Sequence, residues 1–180
     1  MRCPHSAAAH RADHRLLTAL RGCGRDPWVA GAARGLSWTG EHGAVWLAAG
    51  LVGAATDPVR RGAWLRATAL VAGAHATSMV VKRVVRRPRP ELPGAAPLVR
   101  TAGRHSFPSS HAASAAAAAI AFGALLPGAP LLVPPLAAAM CASRLVVGVH
   151  YPTDVACGAL LGGTVARLGR RWTLAGVRDD

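Results

Sequence analysis

Long apolar stretches separated by short polar segments dominate this chain. Between Ala112 and Ser143 there are 32 positions without a charged residue, enough for two crossings, because ~20 apolar residues span a bilayer core. Five candidate spanning helices follow from the whole pattern: Leu36–Thr56, Gly62–Val81, Ser109–Leu126, Pro130–Val149 and Tyr151–Leu168. The pattern therefore predicts an all-α, multi-pass membrane bundle of about five helices.

The five segments differ in how well they fit a membrane-spanning helix. Leu36–Thr56 is the weakest candidate, because Glu41 and His42 interrupt its apolar run. The Pro-Gly-Ala-Pro sequence at 127–130 is typical of a turn between two helices. Small side chains over Ala112–Ala119 favour close helix packing, as membrane bundles use it.

The N-terminal third is more polar than the rest. Residues 14–35 interleave apolar side chains with four arginines, which indicates one or two short amphipathic helices at the membrane interface. A cytosolic, partly disordered extension is the alternative. We read residues 1–14 as a disordered or surface-lying leader, which gives three regions: a leader and amphipathic segment (1–35), a membrane domain (36–172) and a short polar tail (173–180).

Charge and composition narrow the function classes. The net charge is +13, with 21 Lys+Arg against 8 Asp+Glu, while aromatic residues make up only 4%. The basic residues border apolar runs, which favours a membrane protein beside anionic lipid over a nucleic-acid binder. The four cysteines form no CxxC pair, so neither a disulfide framework nor a zinc site is expected.

Three polar clusters stand out against this background. The first is Lys82–Pro90, at the start of a basic, proline-rich loop, Lys82–Arg104; the second is Phe107–His111; the third is Ser143–Asp154. Alternating crossings place all three clusters at the same membrane surface. Ionisable residues beside apolar segments of this kind usually serve a function.

The clusters contain the groups that bind an oxyanion. Lys82, Arg89 and Arg144 supply three cations, and a guanidinium can hold an oxyanion through two hydrogen bonds. Ser109 and Ser110 follow a proline, as at a helix start, where free backbone N–H groups bind anions. These groups predict an anion site.

The clusters also contain acid–base groups. His150 and Asp154 are four residues apart and share a helix face, so the carboxylate can fix the imidazole tautomer. A second histidine, His111, allows a nucleophile and a separate proton donor. Three cations with two histidines suit phosphoryl transfer better than acyl transfer. No carboxylate cluster is available for Mg²⁺, so we expect neither metal nor cofactor.

Each cluster has a plainer interpretation when taken alone. A basic run beside a helix is commonly a positive-inside flank, serines before a helix commonly cap it, and Arg144 resembles a snorkelling residue at a helix end. His150 and Asp154 alone could be a structural ion pair. The joint occurrence of the three clusters on one surface favours an active site.

Spacing constrains the third cluster further. Arg144 and His150 are six residues apart, about 240° around a straight helix, and so do not share a face. We therefore expect a helix to end near Gly148 and the next to begin at Pro152, which suits a first helical turn. His150 then lies in the bend.

Together the clusters resemble the signature of the type 2 phosphatidic acid phosphatase superfamily. That signature reads K-x6-R-P, then P-S-G-H, then S-R-x5-H-x3-D. The matching residues are Lys82-x6-Arg89-Pro90, Pro108-Ser109-Ser110-His111 and Ser143-Arg144-x5-His150-x3-Asp154. Within the superfamily, the Ser-Ser-His version is similar to that of decaprenylphosphoryl-5-phosphoribose phosphatases.

The resemblance implies roles for the residues. His150 is the nucleophile and forms a phosphohistidine, Asp154 orients it, and His111 protonates the leaving oxygen and then assists water. The implied phosphate ligands are Lys82, Arg89, Arg144, Ser109 and the backbone N–H of Ser110. Ser110 stands where the signature has Gly, which is tolerable if its φ stays negative.

We therefore expect a multi-pass membrane phosphatase that acts without metal on a lipid-linked phosphate, such as a polyprenyl-phosphate-sugar phosphate, and binds no nucleic acid. An isoprenyl-diphosphate or phosphatidic acid phosphatase and a catalytically silent lipid-binding protein are the alternatives. A vanadate haloperoxidase fits less well, because those enzymes resemble large soluble proteins. Basic residues around Lys82–Arg104 favour a cytoplasmic active site, whereas five arginines at the opposite surface favour the other orientation: Arg60, Arg61, Arg167, Arg170 and Arg171. If residues 14–35 span, the sides invert.

Overall fold

The computed structural model describes residues 4–92, 94–101, 103–126 and 129–175, and over these ranges the regular structure is helical. The helices are α1 (Pro4–Cys23), α2 (Pro27–Thr39), α3 (Ala44–Thr56), α4 (Arg61–Val85), α5 (Ser110–Gly123), α6 (Ala129–Val146), α7 (Pro152–Leu168) and α8 (Arg170–Leu174), with a 3₁₀ turn at Glu41–Gly43. The prediction of an all-α bundle is confirmed.

The later predicted helices agree closely with α4 to α7, but the first does not. Leu36–Thr56 is divided among the end of α2, the 3₁₀ turn and α3. His42 and Gly43 both adopt left-handed backbone angles, with φ of 55° and 73°, and a right-handed helix cannot continue through them. The predicted single helix was therefore wrong. Two residues of the predicted 127–130 turn, Pro127 and Gly128, lie outside the described residues.

Helix α5 lies at the centre of the bundle and contacts α4, α6 and α7. Its contact with α7 is so close that a Cβ atom added at Gly158 or Gly162 would lie 2.3 Å from the Ser109 carbonyl oxygen or 1.9 Å from that of Ala113. Only glycine fits at these two positions. The predicted role of small residues in packing is confirmed.

The outer surface of the bundle carries large apolar side chains as well. Those exposed on different helices include Leu51, Leu65, Leu132 and Leu160. Within the described ranges, none of the helices combines the length and apolar character that a membrane crossing requires.

The N-terminal region differs from the polar leader that we expected for residues 1–14. Residues 4–23 form α1, which packs against α6 and α7. Leu17 is fully buried and Asp13 is 5% exposed, because partners distant in the sequence cover them. Residues 1–3 lie outside the description. The sequence predicted one or two helices within 14–35, and two are present: the end of α1, and α2, which continues to Thr39. Asp26 caps α2 by accepting hydrogen bonds from the N–H groups of Trp28 and Val29.

The C-terminal helix α8 overlaps the polar tail expected to begin at residue 173. Thr173 is 1% exposed, and its carbonyl accepts hydrogen bonds from Arg66 of α4. Helical structure therefore continues past the expected boundary. Residues 176–180 of the expected tail lie outside the described part of the chain.

Candidate active site

The three polar clusters meet at one end of the bundle, as predicted. This active-site end is formed by the last turns of α4 and α6, the first turns of α5 and α7, and the loop that follows α4. A cavity of about 120 Å³ lies there. The predicted site residues that line it are Lys82, Arg89, Ser110, His111, Arg144 and His150.

The segment between α6 and α7 places His150 in a bend. Helix α6 ends at Val146, and Gly148 follows with a φ of +79°. Pro152 is the first residue of α7, after Tyr151 as the N-cap. His150 is 1% exposed. The predicted bend is therefore confirmed, and the imidazole reaches the cavity from a segment outside both helices.

Asp154 lies directly behind His150. Its Oδ2 atom is 3.7 Å from Nδ1 of His150, which is longer than a hydrogen bond. Oδ2 accepts a hydrogen bond from the Tyr151 N–H (2.8 Å), and Oδ1 accepts one from Arg87 (2.8 Å). Nδ1 of His150 has no partner among the described residues. An approach of about 0.8 Å would bring the pair to the usual N···O distance of about 2.9 Å.

The environment keeps the His150 imidazole neutral. Burial lowers the pKa of His150 to about 3, and Asp154 only partly opposes this at a separation of 3.7 Å. The positive charges of Arg144, Arg89 and Lys82 lower the pKa further. A neutral imidazole retains a free lone pair, which is the state that a nucleophile needs.

Arg89 is fixed by carbonyl groups on both sides of the cavity. Its Nε donates to the Gly103 carbonyl and its Nη1 to the Val149 carbonyl, each at 2.8 Å. These bonds tie the loop after α4 to the residue that precedes His150. They leave the Nη2 donors of the guanidinium free to bind an anion in the cavity.

Ser37 of α2 contacts two of the predicted site residues. Its hydroxyl accepts a hydrogen bond from Arg144, and its carbonyl lies 3.0 Å from Nε2 of His111. Because a carbonyl only accepts, Nε2 of His111 carries a proton. Ser37 is 5% exposed. The sequence pattern did not identify this residue, because its single signal is a polar side chain inside an apolar run.

The two serines at the start of α5 differ in their positions. Ser109 is the N-cap, as predicted: its hydroxyl accepts from the Ala112 N–H at 3.4 Å. It is fully buried and does not line the cavity, because its side chain is turned onto the helix end. Ser110 does line the cavity. The described non-glycine residues with positive φ are His42 and Arg86, so Ser110 meets the condition of negative φ.

A second group of cavity residues was not predicted. It comprises Ser37, Glu41, His42, His75, Met79, Arg100, Thr101 and Gly103. Glu41 and His42 were visible in the sequence as an interruption of an apolar run, and the left-handed turn explains how they reach the site. Among the described residues, no three His, Cys, Asp or Glu side chains are grouped so that they could hold a metal ion.

Comparisons with known proteins agree with this geometry. The sequence pattern of the PAP2 superfamily matches residues 63–178. The chain is 47% identical over 144 residues to the decaprenylphosphoryl-5-phosphoribose phosphatase of Mycobacterium tuberculosis, covering 79% of each protein. It is 47% identical over 154 residues to the protein of that name from Mycolicibacterium smegmatis, covering 83% of each.

One solved structure has the same fold. It is the crystal structure of a transmembrane PAP2-type phosphatidylglycerolphosphate phosphatase from Bacillus subtilis, with a TM-score of 0.80 and 25% sequence identity. The alignment covers 96% of this chain and 90% of the other. The likeness therefore includes α1 and α2 as well as the helices that carry the three clusters.

Proposed function

Since the chain belongs to the PAP2 superfamily of lipid phosphatases, we propose that it hydrolyses the phosphomonoester of a polyprenyl-phosphate-linked phosphosugar, the type of substrate that its mycobacterial relatives are named for. The observation that carries this proposal is the buried, neutral His150 in a cavity lined by Lys82, Arg89 and Arg144. Three cations around a neutral imidazole match a phosphoryl group that is attacked by a nitrogen nucleophile.

In the first step Nε2 of His150 attacks phosphorus while its Nδ1 proton faces Asp154. A P–N bond forms and the P–O bond to the leaving group breaks. His111 enters this step as an imidazolium whose Nε2–H is held by the Ser37 carbonyl, and it gives its Nδ1 proton to the departing oxygen, which leaves a neutral imidazole. Lys82, Arg89 and Arg144 stabilise the charge that spreads over the phosphoryl oxygens in the transition state.

In the second step water hydrolyses the phosphohistidine. His111, now deprotonated, takes a proton from the water as its oxygen bonds to phosphorus, and the P–N bond breaks. Inorganic phosphate leaves, and His150 is again neutral. His111 thus serves as acid and then as base, and no step requires a metal ion.

The other cavity residues suit a hydroxyl-rich leaving group. Glu41 adds a carboxylate to a cavity that is otherwise strongly basic, and His42 and Thr101 add further polar side chains. A carboxylate accepts hydrogen bonds from sugar hydroxyls. An apolar acylglycerol portion would find fewer partners there, so this lining favours a phosphosugar over phosphatidic acid.

We place the bundle in the membrane with several crossings. Large apolar side chains face outward, and an apolar groove runs between α5, α6 and α7, lined by residues such as Ala116, Ile120 and Leu160. At the active-site end the groove reaches Cys141 and Ala156, within one helical turn of Arg144 and Asp154 along their helices. A polyprenyl chain fits such a groove while its phosphosugar occupies the cavity.

Phosphate release from a panel of lipid phosphates tests the proposal. Purified protein in EDTA should release phosphate from decaprenylphosphoryl-5-phosphoribose faster than from phosphatidic acid or an isoprenyl diphosphate, and the His150→Ala variant should be inactive. Faster release from either competitor would reassign the substrate. A strict requirement for Mg²⁺ would refute the metal-free mechanism. No release from any compound would favour a lipid-binding role.

A further inference from the structure

Helix α1 reaches the catalytic residues through a single arginine. Nη2 of Arg87 donates to Oδ2 of Asp13 on α1 at 2.9 Å, and Nη1 donates to Oδ1 of Asp154 on α7 at 2.8 Å. One guanidinium therefore bridges two carboxylates, which are 5% and 0% exposed. Charge-assisted bonds at such buried positions fix geometry strongly.

Asp13 also caps helix α7. Tyr151, the N-cap residue of α7, provides no side-chain acceptor for the first turn. Asp13 takes that place from another helix: its Oδ1 accepts from the Thr153 N–H at 3.0 Å, and its Oδ2 accepts from the Thr153 hydroxyl. An acidic side chain at this end also complements the helix dipole. Helix α1 thus holds the turn that carries Asp154.

Further contacts fix the position of the Arg87 side chain. Its guanidinium carbon lies 4.0 Å from the centre of the Tyr151 ring, and Nη1 also donates to the Thr153 hydroxyl at 2.7 Å. These contacts come from the N-cap residue of α7 and from the second residue of its first turn. Arg87 therefore has one orientation available, in which it directs Asp154 toward the back of His150.

We propose that Arg87 and Asp13 are positioning residues that hold Asp154, and through it His150, in the geometry for attack, so that α1 is a part of the active site. This inference rests on the proposed function. Neither residue touches the cavity, so both act through Asp154. Nothing in the three-cluster signature includes Asp13, and Arg87 falls at one of its unspecified positions.

The test compares charge-neutralising variants in the full chain. Arg87→Gln should lower kcat by about 10- to 100-fold, the range found when residues that orient a metal-bound imidazole are removed, with KM changed less than about twofold. Asp13→Asn should also lower kcat, but by a smaller factor. The matched control is Arg83→Gln, an exposed arginine of the same basic run, which should retain the wild-type kcat.

Two further measurements separate positioning from a general loss of structure. The Asp13→Asn/Arg87→Gln double variant should lose far less than the product of the single losses, because the two residues act through one carboxylate. Arg87→Lys keeps the charge but cannot bridge both acids, so its kcat should lie between those of Arg87→Gln and the wild type. If Arg87→Gln fails to fold, Arg87→Lys takes its place in the test.

The inference is wrong if an Arg87 variant has the same kcat as Arg83→Gln, or if its defect is confined to KM. Either result would leave the proposed function intact. Fully multiplicative losses in the double variant would overturn the inference too. A wild-type protein that releases no phosphate from any lipid phosphate would instead overturn the proposed function, and this inference with it.

Discussion

His150 is buried and lies near three positively charged side chains, and both features favour its neutral form. Its pKa falls to about 3 from the ordinary value of 6.5. The imidazole is therefore uncharged at neutral pH, with no strong hydrogen bond to Asp154.

The same pKa shift makes stability depend on pH. Between pH 6.5 and 3 the unfolded chain protonates His150 while the folded protein does not, so the unfolded state binds more protons and stability falls as pH decreases. Above pH 6.5 both states are neutral at this residue. The melting temperature of the wild type should therefore drop more steeply from pH 7 to pH 4 than that of His150→Gln.

Thermal unfolding of both proteins in the same detergent across that pH range measures the difference directly. Titrating groups distant from His150 are shared by the two proteins, so their contributions cancel in the comparison. Parallel curves for wild type and variant would show that the folded-state pKa of His150 is not depressed.

Ser37 contacts Arg144 and His111 through different atoms, so the contact with Arg144 can be removed alone. Ser37→Ala removes the hydroxyl that accepts from Arg144 but keeps the carbonyl that contacts His111. Loss of one hydrogen bond to a charged group costs about 1.5 kcal/mol, so kcat/KM should fall roughly tenfold. Thr39→Ala is the matched control, because its hydroxyl bonds within α2. Equal kcat/KM values for the two variants in a phosphate-release assay would contradict the role of Ser37.

Among the helices, the separation of α5 and α7 sets the distance between His111, in the first turn of α5, and Asp154, in the first turn of α7. The N–H of Ser109 at the start of α5 donates to the Asp154 carbonyl at 2.9 Å. Close packing at Gly158 and Gly162 keeps the two helix starts in this contact. Helix packing is therefore a condition of the catalytic geometry.

Gly162→Ala should disrupt that packing, since its methyl group would lie 1.9 Å from the Ala113 carbonyl oxygen. We expect a loss of about 1–3 kcal/mol of stability from overpacking, together with reduced activity as α7 moves away. Gly163→Ala is the control on the same helix, because its Cβ meets no atom closer than Ile120 Cδ1 at 3.5 Å. Equal melting temperatures and activities for the two variants would show that close packing at Gly162 is not required.

Several elements were predictable from the sequence for clear physical reasons. Helices α5 to α7 follow from long apolar runs whose ends coincide with proline or glycine. The bend at His150 follows from the spacing to Arg144 and from Pro152, which is a local feature. Convergence of the three clusters follows from alternating helix directions, a property of any up-and-down bundle.

The elements that escaped prediction depend on contacts between distant parts of the chain. Helix α1 is held by Asp13, whose partner Arg87 lies 74 residues away. Ser37 and Arg144 are 107 residues apart. The break at His42 arises from a left-handed turn in which its neighbour Gly43 packs against Ser114. No periodicity or motif encodes pairings of this kind.

At the scale of the whole molecule, positive charge is concentrated at the active-site end. The sequence in and beside the basic loop supplies five arginines: Arg83, Arg86, Arg87, Arg100 and Arg104. The structure adds Arg21 of α1, which donates to the Ala96 carbonyl at 2.9 Å. The opposite end carries Arg60, Arg61, Arg167, Arg170 and Arg171. Counted with Lys82, Arg89 and Arg144, the active-site end holds the larger number of these cations, and we propose from the positive-inside rule that it faces the cytoplasm.

Cysteine labelling tests this orientation. In a background without the four native cysteines, a membrane-impermeant maleimide applied to intact cells should label Val59→Cys, at the opposite end and 90% exposed. It should leave Arg104→Cys unlabelled until the cells are permeabilised. The reverse pattern would place the active site outside the cytoplasm, and labelling of both in intact cells would contradict a crossing between them.

The proposed mechanism depends on a phosphohistidine at His150, and trapping this intermediate tests it directly. Wild-type protein should be mixed with lipid phosphate carrying a labelled phosphoryl group, quenched in alkali during turnover, and analysed by peptide mass spectrometry. We expect a label on His150 that is acid-labile and absent from His150→Ala. Turnover without a covalent label, or a label on another residue, would exclude His150 as the nucleophile.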